Sequence, residues 1–312
     1  MKLMVAGTGL FGKEHLARLT AIGGIRLAAS DTRTAALGEV AQRFSLVDRD
    51  SDAFALVDRF RPDGIVVATP VEAHVPLGLH ALALGIPVLI EKPIASDAAG
   101  ARRLAEAAAA GSAFLQPGHI LRFCAAHRLL ADLVGSGAIG DLLFLASRRF
   151  RDDSHARHYP DIDPVLMTLI HDIDLALWMG GAPAVSVAAT RRPQGTARSI
   201  TSVQAEGANG VIWHLATAWL HPSTNTPADR VEVLGTEGSA TLFVGSHIEL
   251  RARESRRIAV PAEDDPLRTE LECFLAGVRA GASRAPVRPE DAVDGLEAAG
   301  MILRALADAP RS

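Results

Sequence analysis

From residue 1 to about 120 the chain alternates short apolar runs with amphipathic stretches. The runs Leu3–Ala6, Ile25–Ser30, Gly64–Ala68, Pro87–Ile90 and Ala113–Pro117 have the length of strands. Between them, Lys13–Ala21, Ala35–Arg43, Ala53–Arg59, Val75–Leu84 and Ala98–Ala109 place apolar residues at three- and four-residue spacing, which predicts helices. Strands and helices in alternation predict βαβ units and a doubly wound parallel sheet. Past residue 122 the pattern changes. A helix is expected over Ala125–Gly135, a strand over Leu142–Phe150, a polar stretch over Arg151–Asp163 and a helix over Pro164–Met179. Four β-rich segments follow, Val185–Arg191, Ile200–Glu206, Gly210–Trp219 and Arg230–Val244, with turn residues at Ala208-Asn209-Gly210 and Gly235-Thr236-Glu237-Gly238. Their succession favours an antiparallel sheet, and helices over Pro266–Ala280 and Pro289–Ala307 close the chain. The fold class read from this is α/β: residues 1–122 form a doubly wound parallel sheet, and 123–312 an α+β domain on a mainly antiparallel open sheet.

Composition narrows the chemistry. With 48% apolar and 22% charged residues the 312-residue chain has the balance of a globular protein, long enough for two cores. Its net charge of −4 and lack of a basic run argue against nucleic acid as a partner. Cys124 and Cys273 stand too far apart in sequence to suggest a disulfide framework or a metal site, so two buried thiols and no metal are expected. Lys2-Leu3-Met4-Val5-Ala6 runs straight into a glycine loop without a signal segment, and no apolar stretch approaches membrane-spanning length. A cytoplasmic protein with no membrane partner is the expectation.

Gly7-Thr8-Gly9-Leu10-Phe11-Gly12 is G-x-G-x-x-G between a strand and a helix, and Asp31 follows the last glycine by 19 residues at the end of the next strand. Each part has a task in a Rossmann dinucleotide site. Gly7 makes the tight turn, Gly9 lets the backbone approach a pyrophosphate, Gly12 lets the helix pack closely, and the helix start offers N–H groups to the anion. Asp31 would accept hydrogen bonds from the adenosine ribose and repel a 2′-phosphate, so NAD is expected over NADP, with Thr32 beside it and Arg33 softening the repulsion. Ala68-Thr69-Pro70-Val71-Glu72-Ala73-His74 and Glu91-Lys92-Pro93 fall at the carboxyl ends of later strands, where open α/β sheets bind ligands.

With those segments, the mixed second domain and His171-Asp172-Ile173-Asp174, the chain resembles the glucose–fructose oxidoreductase/inositol dehydrogenase (Gfo/Idh/MocA) family over nearly its whole length. The resemblance implies an NAD-dependent dehydrogenase acting on CH–OH groups of a sugar, sugar derivative or polyol. Lys92 would stand between nicotinamide and substrate, with Glu91 orienting it and Pro93 shaping the turn. Ala68, Thr69, Pro70, His74 and Glu91 would belong to the cofactor site, with Leu10 and Phe11 from the glycine loop. His171 would be the general base. His119 and Arg122 fall where the family often has an asparagine–arginine pair near the nicotinamide. Many relatives carry an aspartate four residues before the histidine, where this chain has Met167. On one helical face, Met167 would line the substrate pocket beside His171 without supporting its basicity, which favours the more acidic hemiacetal hydroxyl of an aldose over inositol.

The stretch from Arg148 to Tyr159 is rich in Arg and His. Strand alternation puts Arg149 and Arg151 on one face, where they, with His155, would clamp a sugar acid or else form a solvated charged loop. Val211, Trp213, Leu215 and Thr217 read as an apolar sheet face in need of a partner, which predicts a homodimer or homotetramer. Two other readings remain open: an NAD- and sugar-binding regulator without turnover, and an NAD-dependent glycosidase.

Overall fold

The computed structural model describes residues 1–158, 160–193, 198–222, 224–261 and 264–308, with only the backbone of His155 and His158. It divides into two compact units, residues 1–123 with 265–293, and 124–264 with 294–312. The sequence reading assigned all of 123–312 to the second domain, so the return of residues 265–293 to the first unit is a departure from it.

In the first unit, β1 (Lys2–Ala6), β2 (Arg26–Ser30), β3 (Leu46–Asp50), β4 (Gly64–Val67), β5 (Val88–Glu91) and β6 (Leu115–Gly118) form a parallel sheet in the order β3-β2-β1-β4-β5-β6. The central strands β1, β4 and β5 are apolar on both faces because helices cover both. The helices are α1 (Leu10–Ile22), α2 (Thr34–Arg43), α3 (Ala53–Phe60), α4 (His74–Ala83), α5 (Ala98–Ala110) and α9 (Pro266–Ala280). β3 was not foreseen. Its sequence Leu-Val-Asp-Arg-Asp is polar because it lies at the sheet edge, where only part of each residue is buried. Helix α9 belongs to this unit because Leu267, Leu271, Phe274 and Leu275 join the core of Leu3, Val5, Leu16, Leu19 and Leu27. The order β3-β2-β1-β4 reverses direction between β1 and β4, and the glycine loop leaves β1 at that switch point.

The second unit holds β7 (Leu142–Asp152), β8 (Ala184–Pro193), β9 (Ser199–Gly207), β10 (Ile212–His221), β11 (Arg230–Gly235), β12 (Ser239–Phe243), β13 (His247–Arg251) and β14 (Ser255–Ala259). They form a sheet in the order β14-β13-β12-β11-β7-β10-β9-β8, antiparallel except where β7 and β10 run parallel. The predicted segment Arg230–Val244 is two strands around the foreseen Gly235–Gly238 turn, and β13 and β14 were missed. Helices α6 (Ala125–Gly135), α7 (Ser154–His158) and α8 (Ile170–Gly180) belong to this unit, and α10 (Pro289–Asp308) starts in the first unit and ends here. The helix expected over Pro164–Met179 instead begins with a π-helical turn, Val165–Leu169, and becomes α-helical at Ile170. No helix among the described residues is long and apolar enough to cross a membrane.

One sequence expectation is reversed here. Trp213, Leu215 and Thr217 are buried, with Gly180 of α8 packed at the Trp213 ring and Trp219 donating to Thr168 of the π-turn at 3.1 Å. Helices of the same chain cover that face. The exposed face carries the other set: Ile212 lies opposite Phe144, and Phe144 opposite Leu234, making an apolar row across three strands. Ile212 and Leu234 are each more than 40% exposed.

Candidate functional site

In the first unit, a cleft of about 830 Å3 opens at the carboxyl ends of β1, β2 and β4. Gly7, Gly9, Asp31, Thr32, Arg33, Ala68, Thr69 and Pro70 line it, all of them residues that the sequence reading assigned to a cofactor site. Ser30, Ser51, Asp52, Phe54, Glu72 and Leu77 also line it and were missed, several because they follow the unforeseen edge strand β3. Gly7 has φ +87°, and a Cβ there would run into the Ala68 carbonyl; one on Gly12 would strike the Gly7 carbonyl. A Cβ on Gly9 would meet open space. The loop is thus tight at its ends and open at its middle. Helix α1 has Gly9 as its N-cap, no side-chain cap and no acid in its first turn, which leaves its first N–H groups for an anion. These features fit a dinucleotide pyrophosphate. Leu10 and Phe11, placed in the cofactor site by the sequence, are exposed on the first turn of α1 and are not among the residues lining this cleft.

Asp31 is buried with its carboxylate fully engaged. Oδ2 accepts the Thr8 N–H and hydroxyl, both at 2.8 Å, and Oδ1 accepts the Arg33 N–H at 2.9 Å. The Arg33 guanidinium lies along both oxygens at 3.0 Å. Burial pushes the carboxyl up, yet these donors hold it well below the usual carboxylate range. The Arg33 side chain that lies over this carboxylate is two-thirds exposed. Asp31→Ser with Arg33 retained is therefore expected to weaken NAD about tenfold and to strengthen NADP, since two like charges about 4 Å apart cost on the order of 4 kcal/mol near an effective dielectric of 20. Fluorescence titration of both cofactors decides it; an unchanged NAD/NADP ratio would contradict this role.

The second group surrounds the end of β5. The Lys92–Pro93 peptide is cis. His74 was expected in the cofactor site, but its ring is spent on the protein: Nδ1 lies 2.9 Å from the Pro93 carbonyl and Nε2 2.8 Å from the Thr69 carbonyl. A neutral imidazole has one N–H, so the ring donates to one of these carbonyls and sets its other nitrogen against the second. Burial lowers the His74 pKa, against the pull of the two carbonyls. Glu91 is buried and accepts from His15 at 2.7 Å. Lys92 is half-buried, and desolvation lowers its pKa while the Glu91 charge opposes the shift. His119 is buried just past β6. Arg122 donates to Asp291 at 2.7 Å, and Asp291 also accepts from Arg288. His15, Thr8 and Asp291 had no signal in a motif reading.

In the second unit, His171 and Met167 are both half-buried. The π-turn removes the basis for placing them on one α-helical face, because four residues no longer measure a single α-turn there. Next to His171, Asp172 is buried and accepts from Ser147 at 2.5 Å and from Arg149 Nε at 2.8 Å. Arg149 also donates to Asp229 at 2.7 Å, and Arg151 grips Asp229 with two nitrogens at 2.5 Å. The expected substrate clamp is thus a buried ion-pair cluster, and the solvated-loop alternative fails as well; Arg149 is only 5% exposed. Burial pushes the Asp172 carboxyl up, against Arg149 and Ser147, and the two carboxylates keep Arg149 charged against its own burial. The cluster ties α8, from which His171 projects, to β7 and to the residue before β11. The His155 side chain lies outside the described residues.

Residues 1–119 match the oxidoreductase family with an NAD-binding Rossmann fold, and residues 127–241 match the GFO/IDH/MocA C-terminal domain. Inositol 2-dehydrogenase 2 of Saccharopolyspora erythraea is 32% identical across 96% of this chain and 91% of its own length. An inositol 2-dehydrogenase of Pseudomonas fluorescens is 28% identical over the same shares. Among solved structures, an Agrobacterium radiobacter oxidoreductase in complex with NAD+, L-tartaric acid and magnesium superposes with a TM-score of 0.88 at 17% identity, over 99% of this chain and 96% of that one. The scyllo-inositol dehydrogenase of Lactobacillus casei with NAD(H) and scyllo-inositol gives 0.86 at 19% identity, over 98% and 97%. With both of its domains matched and a relative above 30% identity along nearly its whole length, the chain belongs to the GFO/IDH/MocA oxidoreductase family.

Proposed function

We propose that this protein is an NAD-dependent dehydrogenase that oxidises a ring hydroxyl of a polyol or sugar, with inositols first among the substrates. The observation that carries the reading is the dinucleotide cleft with its buried Asp31, on a chain whose relatives bear the name inositol 2-dehydrogenase. The nicotinamide, when bound, supplies the hydride acceptor. The chain's residues handle the rest. In the first unit the glycine-loop N–H groups and Asp31 hold the dinucleotide and Lys92 serves as a proton donor; in the second, His171 is the base that takes the hydroxyl proton as the C–H bond gives up its hydride. A lysine whose pKa is lowered by burial exchanges its proton nearer neutrality. The preference for aldoses rested on α-helical spacing between Met167 and His171, and the π-turn withdraws that argument. The test is NADH formation, read by absorbance, over a panel of inositols, aldoses and sugar acids. Turnover on a cyclic polyol supports the reading. Sugar binding without turnover, or aglycone release from a glycoside without net NADH, would replace it.

The proposal includes a homo-oligomer, a dimer or dimer of dimers, closed over the exposed row of Ile212, Phe144 and Leu234. Ile212→Lys with Leu234→Glu is expected to lower the mass found by light scattering at micromolar concentration. An unchanged mass would remove this face from the interface.

A further inference from the structure

His15 lies on α1, six residues past Gly9, and is fully buried. Its Nε2 donates to Glu91 Oε1 at 2.7 Å, while its Nδ1 has no hydrogen-bond partner among the described residues. An Nε2–H tautomer fits both facts, because it leaves a bare acceptor rather than a stranded N–H. The other carboxylate oxygen, Oε2, accepts the backbone N–H of Lys92 at 3.3 Å. Gly118 closes the far side, where a Cβ would stand 3.1 Å from Glu91 Cα. A buried carboxylate is costly unless its oxygens are hydrogen-bonded. Here those bonds run from the helix of the glycine loop to the backbone from which Lys92 emerges.

We propose that His15 is a positioning residue for Lys92: by holding Glu91 it fixes both the Lys92 backbone and the place of the Glu91 charge beside the Lys92 ammonium. The catalytic meaning of this rests on Lys92 taking part in the proposed dehydrogenase reaction, but the contact itself can be tested without a substrate. The Glu91 charge acts on Lys92, and His15 and His74 reach the same turn through the Glu91 carboxylate and the Pro93 carbonyl. Without His15, the Glu91 carboxylate is free to turn towards Lys92 and favour its charged form.

The sequence makes the experiment clean, since Lys2, Lys13 and Lys92 are its only lysines. Reductive methylation with 13C-formaldehyde labels these three and the amino terminus, and Lys92→Arg assigns the Lys92 resonance. In His15→Leu its titration midpoint is expected to rise by about half a pH unit or more. In His15→Gln, whose amide can still donate to Glu91, it is expected to stay near the parent value. Glu91→Gln removes the charge and is expected to lower it. NAD affinity, read by fluorescence, is expected to change by no more than a few-fold. An unmoved Lys92 midpoint in His15→Leu overturns the proposal. If that variant does not fold, an unmoved midpoint in Glu91→Gln does so. With an active substrate in hand, the pH profile of kcat shifts in the same direction as the midpoint. A parent enzyme inactive on every polyol would defeat the substrate reading and leave the NMR result standing.

Discussion

Replacing His171 by alanine is expected to lower kcat on the true substrate by about two orders of magnitude or more, the range typical of a lost proton-transfer group. Lys92→Ala is expected to do the same. Both variants should bind NAD within a few-fold of the parent, because the residues lining the dinucleotide cleft include neither side chain. The affinity measurement separates a chemical role from general damage. Near-normal turnover by His171→Ala would show that the histidine serves the packing of α8 rather than the reaction. Equal losses of kcat and NAD affinity in Lys92→Ala would mean that the lysine acts through the turn at the end of β5.

The second large effect concerns stability. Arg149→Met is expected to destabilise the protein by about 3–5 kcal/mol, because it strands the buried Asp172 without its cation and leaves Asp229 held by Arg151 alone. Arg149→Lys should recover little, since an ammonium cannot reproduce the fork that reaches both carboxylates. Arg149→Met combined with Asp172→Asn should recover a large part, because the burden lies in unpaired charge rather than in lost attraction, while Asp229 keeps its pair with Arg151. Urea unfolding curves of the three variants test this. A loss below about 1 kcal/mol for Arg149→Met would mean that water reaches the cluster.

The alternation of apolar runs and helical stretches made the first sheet legible, and the glycine loop with Asp31 made most of its cleft legible. Those signals are local: each depends on a strand, a turn and a helix adjacent in sequence. The edge strands β3 and β14, and β13 next to the latter, were not legible, because strands with half-exposed residues lack the apolar run that marks a central one. Arg149 and Arg151 looked like surface chemistry because their partners Asp172 and Asp229 lie 23 and 80 residues from Arg149. His74 was placed by its motif in the cofactor site, yet its ring nitrogens face two backbone carbonyls of the protein, an arrangement that only coordinates reveal. The π-turn before His171 shows the same limit, since Val165–Leu169 has the composition of an ordinary helix.

The return of α9 to the first unit has a consequence for biosynthesis. The nucleotide-binding unit is discontinuous, so a ribosome delivering the chain amino end first must make residues 124–264 before Leu271 and Phe274 can cover Leu3, Leu16 and Leu27. Until then, the nascent first domain carries a greasy flank that invites chaperones or aggregation. A gene fragment encoding residues 1–123 would reproduce that stalled state, whereas one fusing 1–123 to 265–293 through a short linker supplies the missing cover and should yield the more soluble product.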